Sequence, residues 1–124
     1  MRRTSFLSLL AVVVLGGACA SSGQPDQSRP RRNRNLITAE ELSELSVSTC
    51  YEAVRRLRPA WLQARGRSPL PVVFRNNARW GSDPRSLESI RINSVSEMRF
   101  LSASDATTRY GTGFTGGVIL VVTR

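Results

Sequence analysis

From Val118 to Val122 five apolar residues follow one another, four of them β-branched. A run with no polar alternation leaves neither face for water, which predicts a central strand covered on both sides. Upstream the apolar spacing changes to a helical one. Thr38, with Glu41 three residues on, forms a capping box that predicts a short helix over Ala39–Leu45. Thr49 with Glu52 forms a second box, and Cys50, Val54, Leu57 and Trp61 then recur at helical spacing beside Ala53, Ala60 and Ala64. Glu52, Arg55, Arg56, Gln63 and Arg65 supply the polar face. Pro59 has no N–H to donate, so it should kink or split this helix near Arg58, and Gly66 ends it.

The middle of the chain reads as extended structure. Val72-Val73-Phe74-Arg75 and Ala78-Arg79-Trp80 flank Asn76-Asn77, and Asn tolerates positive φ, so a two-residue hairpin is expected there. A loop over residues 81–86 follows, with Ser82-Asp83-Pro84 as a turn or helix start, and then an ambiguous segment with Leu87, Ile90 and Ile92. Ser94 as a cap with Glu97 three residues on predicts a helical turn through Met98, and Met98–Leu101 reads as a strand. Ser104-Asp105 should cap one or two helical turns ending at Arg109, which Gly111 terminates. Together these elements predict an α+β fold, a small mixed β-sheet with short helices.

The first residues belong to a different class of segment. Met1-Arg2-Arg3 precedes an apolar run from Phe6 to Ala18 in which Ser8 is the only polar side chain. A charged start and a run well short of the ~20 residues of a membrane span predict an export signal over residues 1–18. Two cleavage readings stay open. Leu15-Gly16-Gly17-Ala18-Cys19 resembles a bacterial lipoprotein signal, in which Cys19 receives lipid and becomes the new N-terminus, although Leu stands four rather than three places before it. Alternatively Ala18-Cys19-Ala20 is an ordinary small-x-small site cut after Ala20. On either reading Cys50 has no disulfide partner in the mature chain. The first places the protein as a lipoprotein on the periplasmic face of the outer membrane, the second in the periplasm.

Residues 19–35 carry almost no apolar side chain and read as a disordered, Arg-rich tether. Composition changes the picture little beyond this. The net charge is +9, and all 18 basic residues are Arg. Arg29, Arg31, Arg32 and Arg34 sit in the tether, which is either a solvated linker or a segment that touches anionic headgroups. The chain has no His, which removes the commonest general base and metal ligand. No clustered Cys or carboxylate ligands suggest a metal site. Gly111-Thr112-Gly113-Phe114-Thr115-Gly116 spells a dinucleotide fingerprint, but a strand rather than a helix follows it, so the glycines read as a tight loop. Export argues against nucleic acid as a partner. The expectation is therefore a non-enzymatic chain with no catalytic residues, metal or cofactor.

Residues 37–124 carry a recognisable series of elements. A hairpin at Pro71–Trp80 is followed by Val95-Ser96-Glu97-Met98-Arg99-Phe100-Leu101. Then come Ala106-Thr107-Thr108-Arg109-Tyr110-Gly111, Gly116-Gly117-Val118-Ile119 and a strand ending in Thr123-Arg124. In this order they resemble the plug domain of TonB-dependent outer-membrane receptors. The sequence departs from that pattern at the hairpin turn, where Asn76-Asn77 replaces Asp-Gly, and at Ser102-Ala103-Ser104, which stands where Arg-Gly-Pro is usual. No receptor barrel follows Arg124 in the sequence, so the resemblance does not carry transport with it. It implies a plug-like domain over 36–124 acting as a binding or interaction module of the cell envelope. The implied partner is an outer-membrane barrel protein or a small envelope ligand, with the membrane reached through a lipid anchor on Cys19. The implied contact loop contains Arg109, Tyr110, Gly111, Phe114, Gly116 and Gly117. The competing expectation is a structural or accessory envelope lipoprotein, or a receptor remnant, with no ligand.

Overall fold

A computed structural model describes residues 32–124, so the export signal, Cys19 and the tether through Arg31 lie outside the described residues. The elements in chain order are β1 (Leu36–Ile37), α1 (Ala39–Ser43), α2 (Cys50–Leu57), β2 (Val72–Arg75), β3 (Ala78–Gly81), β4 (Val95–Leu101), α3 (Ala103–Tyr110) and β5 (Val118–Thr123). Short 3-10 turns occupy Pro59–Leu62, Pro84–Ser89 and Ile92–Ser94. The five strands form one mixed sheet in the order β1-β4-β5-β2-β3, an α+β architecture. β5 is the middle strand, parallel to β2 and antiparallel to β4.

The side-chain alternation of β5 divides the interior in two. Ile119 and Val121 join Val73, Met98 and Phe100 on one face, packed against Leu42 of α1, Cys50, Ala53 and Val54 of α2, and Trp61. Val118 and Leu120 face the other way, with Phe74 and with Ala106 of α3. Val118 through Val121 are all buried, and only Val122 is partly open. The apolar run is apolar because helices cover both faces of its strand.

Both capping boxes form. The Thr38 hydroxyl accepts from the Glu41 amide while the Glu41 carboxylate accepts from Thr38 N–H, and Thr49 with Glu52 repeats the arrangement. α2 stops at Leu57, and Pro59 opens a separate 3-10 turn that carries Trp61 into the core. Asn76 and Asn77 hold φ of 47° and 68°, the pair of left-handed residues that a tight hairpin turn requires.

Three expectations are corrected. Ser94–Met98 is not a helical turn: β4 begins at Val95 and Glu97 points outward to ion-pair with Arg99 at 2.7 Å. Pairing with β5 from Val95↔Thr123 to Leu101↔Val118 outweighs a local cap signal, and an irregularity between Val95 and Glu97 absorbs the register shift. Ser102 rather than Ser104 caps α3, its hydroxyl accepting from Asp105 N–H at 3.1 Å, and the helix runs on through Tyr110. The helix ends are the third: α1 stops at Ser43 rather than Leu45, and helical structure after Pro59 is a single 3-10 turn that stops at Leu62, short of Gly66.

The chain comes into the domain through a clasp that begins before Leu36. Asn35 O accepts from Phe100 N–H at 2.9 Å, extending the β1–β4 pairing by one residue. Trp61 Nε1 donates to Arg34 O at 3.0 Å. Arg58 donates through one terminal nitrogen to Asn33 O, Leu36 O and the Glu41 carboxylate, and through the other to Leu57 O. The side chains of Arg58 and Glu41 are only 10% and 14% exposed, and Arg58 Nε is buried without a partner among the described residues.

Candidate contact loop

The residues expected to form a contact loop lie on one side of the sheet, at the end of α3 and in the segment joining it to β5. Their roots are aromatic. Tyr110 stacks on Phe74 of β2 with ring centroids 4.2 Å apart, and Phe114 meets Phe74 edge-on at 5.6 Å. Phe114 and Tyr110 are themselves edge-to-face at 6.1 Å. Such a trio adds about 0.5–1.5 kcal/mol per pair to the area it buries. These two aromatics therefore roof the second, smaller core and are spoken for by the fold.

Polar contacts tie the same segment to the hairpin. Tyr110 Oη and Arg109 Nη2 both donate to Asn77 Oδ1 at 2.8 Å. Asn76 completes the tie by holding the end of β5, donating to Thr123 Oγ1 at 2.6 Å and accepting from Thr123 N–H at 2.9 Å. The sequence marked Asn76-Asn77 as a turn from their tolerance of positive φ. Their second task, gripping α3 and β5, has no local signature because the partners lie tens of residues away. Burial pushes the Tyr110 phenol above its ordinary range, partly offset by the Arg109 guanidinium, so the hydroxyl stays a donor at neutral pH.

The glycines divide into two kinds. Gly117 has φ +84°, and a Cβ there would meet Leu101 O at 2.6 Å and the Phe100 ring. Gly116 lies against the carbonyls of Pro69 and Leu70, closer than any Cβ tolerates. Gly116 lets the connector through Pro69 and Leu70 pass directly over it, Gly117 lets the chain lie against the end of β4, and neither is available to a partner. Gly111 and Gly113, at φ +89° and +103°, face open space. Of the six expected contact residues, Arg109 and Gly111 are exposed, Tyr110, Phe114 and Gly116 are half-buried and Gly117 is buried. Thr112, Gly113 and Thr115 are exposed beside them and complete the presented tip. The free surface is thus the crest 109–113 with Thr115, standing on a fixed base.

Elsewhere the described residues offer little chemistry. Cys50 is buried, and loss of hydration pushes its thiol up to about 12, with the Arg75 charge acting the other way. No group of three or more Cys, Asp or Glu among the described residues is placed to hold a metal ion. Every buried residue of the core is apolar. Among the described residues no helix is long and apolar enough to cross a membrane. Comparison with family models, with curated proteins and with solved structures gives no match.

Proposed function

We propose that the chain is a non-enzymatic interaction module of the cell envelope, similar to a receptor plug domain and held at the membrane by lipid on Cys19. Its contact surface is the crest Arg109–Gly113 with Thr115, and its partner is an outer-membrane barrel protein or a small envelope ligand. The observation that supports this reading most is the construction of the crest. Exposed, positive-φ glycines stand on an aromatic trio and a doubly bonded Asn77, so the exposed crest is tied at its base to the second core and to the hairpin. Preorganised surface loops of this type bind at low entropic cost. The series of elements that resembles a plug domain supports the envelope setting.

Two measurements test it. A photo-crosslinking residue at Thr112 should give a discrete adduct in intact envelopes, one that the same residue at exposed Arg91 does not give. Identical adducts from both positions, or none from Thr112, would reject the crest as a contact surface. Mass spectrometry of the mature N-terminus should show acylated Cys19, whereas an unmodified start at Ser21 would reject the lipid anchor while leaving the crest untouched.

A further inference from the structure

The clasp that receives the incoming chain also gathers arginines. Phe100 holds Asn35 on its backbone N–H, and the guanidinium of Arg65 lies over its ring at 4.5 Å. Trp61, whose ring centroid is 5.9 Å from that of Phe100, holds Arg34 by its carbonyl. Arg65 and Arg67 flank Gly66, whose φ of +63° makes the turn closed by Ser68 N–H donating to Arg65 O at 3.1 Å. Arg34, Arg65 and Arg67 are all exposed, and among the described residues none of the three makes an ion pair. Arg32, 68% exposed, reaches Glu41 at 3.5 Å, but that carboxylate is already shared with Arg58.

The acidic residues beside the clasp belong to α1. β1 runs antiparallel to β4, with Leu36 opposite Arg99 and Ile37 opposite Met98. The chain moves from the Phe100 end of β4 toward its Val95 end and into α1, whose Glu41 turns back to Arg32 and Arg58. Glu97 is neutralised by Arg99. At the pole where the chain arrives the clasp gathers Arg32, Arg34, Arg58, Arg65 and Arg67, with Glu41 shared between Arg32 and Arg58, Glu40 on the same short helix and Glu44 at its end. The sequence places Arg29 and Arg31 immediately before it.

We propose that this pole, built on Arg34, Arg65 and Arg67, is a docking face for the anionic headgroups of a phospholipid membrane. Arg34 and Arg65 lie beside the point where the chain enters the domain, and their charge complements an anionic surface. Exposed arginines with no ion-pair partner among the described residues suit a diffuse sheet of negative charge. Each arginine near such a surface strengthens attachment about fivefold at low salt. The proposal takes its biological setting from the envelope reading, yet its test needs no lipid on Cys19.

Residues 20–124, which lack Cys19, are mixed with phosphatidylglycerol-rich vesicles and, separately, with phosphatidylcholine vesicles. Sedimentation should show partitioning to the first only, lost at high salt. The triple variant R34Q/R65Q/R67Q should lower partitioning on the order of a hundredfold, from about fivefold per arginine. A triple variant of equal charge loss on other surfaces, R79Q/R85Q/R91Q, should leave it within a few-fold, and circular dichroism of both variants should match the parent. Equal effects of the two triples would show a net-charge attraction without a docking face and overturn the proposal. So would equal binding to phosphatidylcholine, or binding to soluble polyglutamate as tight as to vesicles, which would assign the pole to an acidic protein. Failure of lipidation itself reads out in the mass of the N-terminus and does not alter these outcomes.

Discussion

Replacing Arg58 by Met should cost the domain about 2–3 kcal/mol, and the source of that cost is specific. The guanidinium serves four acceptors, three of them on the incoming chain: Asn33 O, Leu36 O and the Glu41 carboxylate. Asn33 O is exposed and turns to water at little cost, whereas Leu36 O and Glu41 sit in a part-buried site. Leaving such a carbonyl without a donor costs about 1–3 kcal/mol, and the part-buried carboxylate is left with only Arg32 at 3.5 Å and the Thr38 N–H. Against this, the change removes the orphaned Nε, whose burial already weighs on the native state by a similar amount for one group. With a urea m-value of about 1.5 kcal/mol/M the midpoint should fall by about 1.3–2 M. The double variant R58M/E41L should recover at least half of the loss, because no charge then remains buried, less about 1 kcal/mol for the lost capping contact at Thr38. Urea titrations of the four proteins complete a double-mutant cycle. A single-variant loss under about 0.5 kcal/mol, or strictly additive losses in the double, would refute the view that a buried pair anchors β1.

Two further predictions concern the core. Gly117→Ala should destabilise by about 2–4 kcal/mol, from the left-handed φ together with the blocked approach to Leu101 O, while Gly113→Ala, which meets open space, should cost about 1 kcal/mol; thermal melts of the two separate the effects. Cys50 should resist thiol reagents at pH 8 until the domain unfolds. Because its folded pKa stands above the unfolded one, the stability linked to it is fully present below pH ~8.5 and lost as pH rises toward about 12; Cys50→Ala should remove that slope in alkaline denaturation curves.

How much of this was legible in the sequence depends on the range of each interaction. Thr38–Glu41, Thr49–Glu52, Pro59 and Asn76-Asn77 act within four residues, and the starts, break and turn they set were readable, whereas the helix ends were not. The Val118–Val122 run was readable because burial on two faces has a composition. Ser94–Glu97 carried a local signal just as good, yet it lost to a six-residue pairing with β5 that no local window contains. The contact loop was half legible. Its glycines stood out, but nothing local distinguished Gly116 and Gly117, closed off by Pro69, Leu70 and Leu101, from Gly111 and Gly113 at the free crest. The clasp on Asn33–Leu36 was hidden for the same reason, since backbone carbonyls leave no trace in residue type.

The place of β5 in the sheet carries a consequence for how the domain comes into being. β1 and β4 form one pair and β2 and β3 another, and no ladder joins the two pairs except through Val118–Thr123. A chain made N-terminus first has all four outer strands before it has the one that unites them. Until then each pair is a two-stranded ribbon, marginal in water by itself. The sheet therefore closes only after Val118–Thr123 has emerged from the ribosome and paired with both halves.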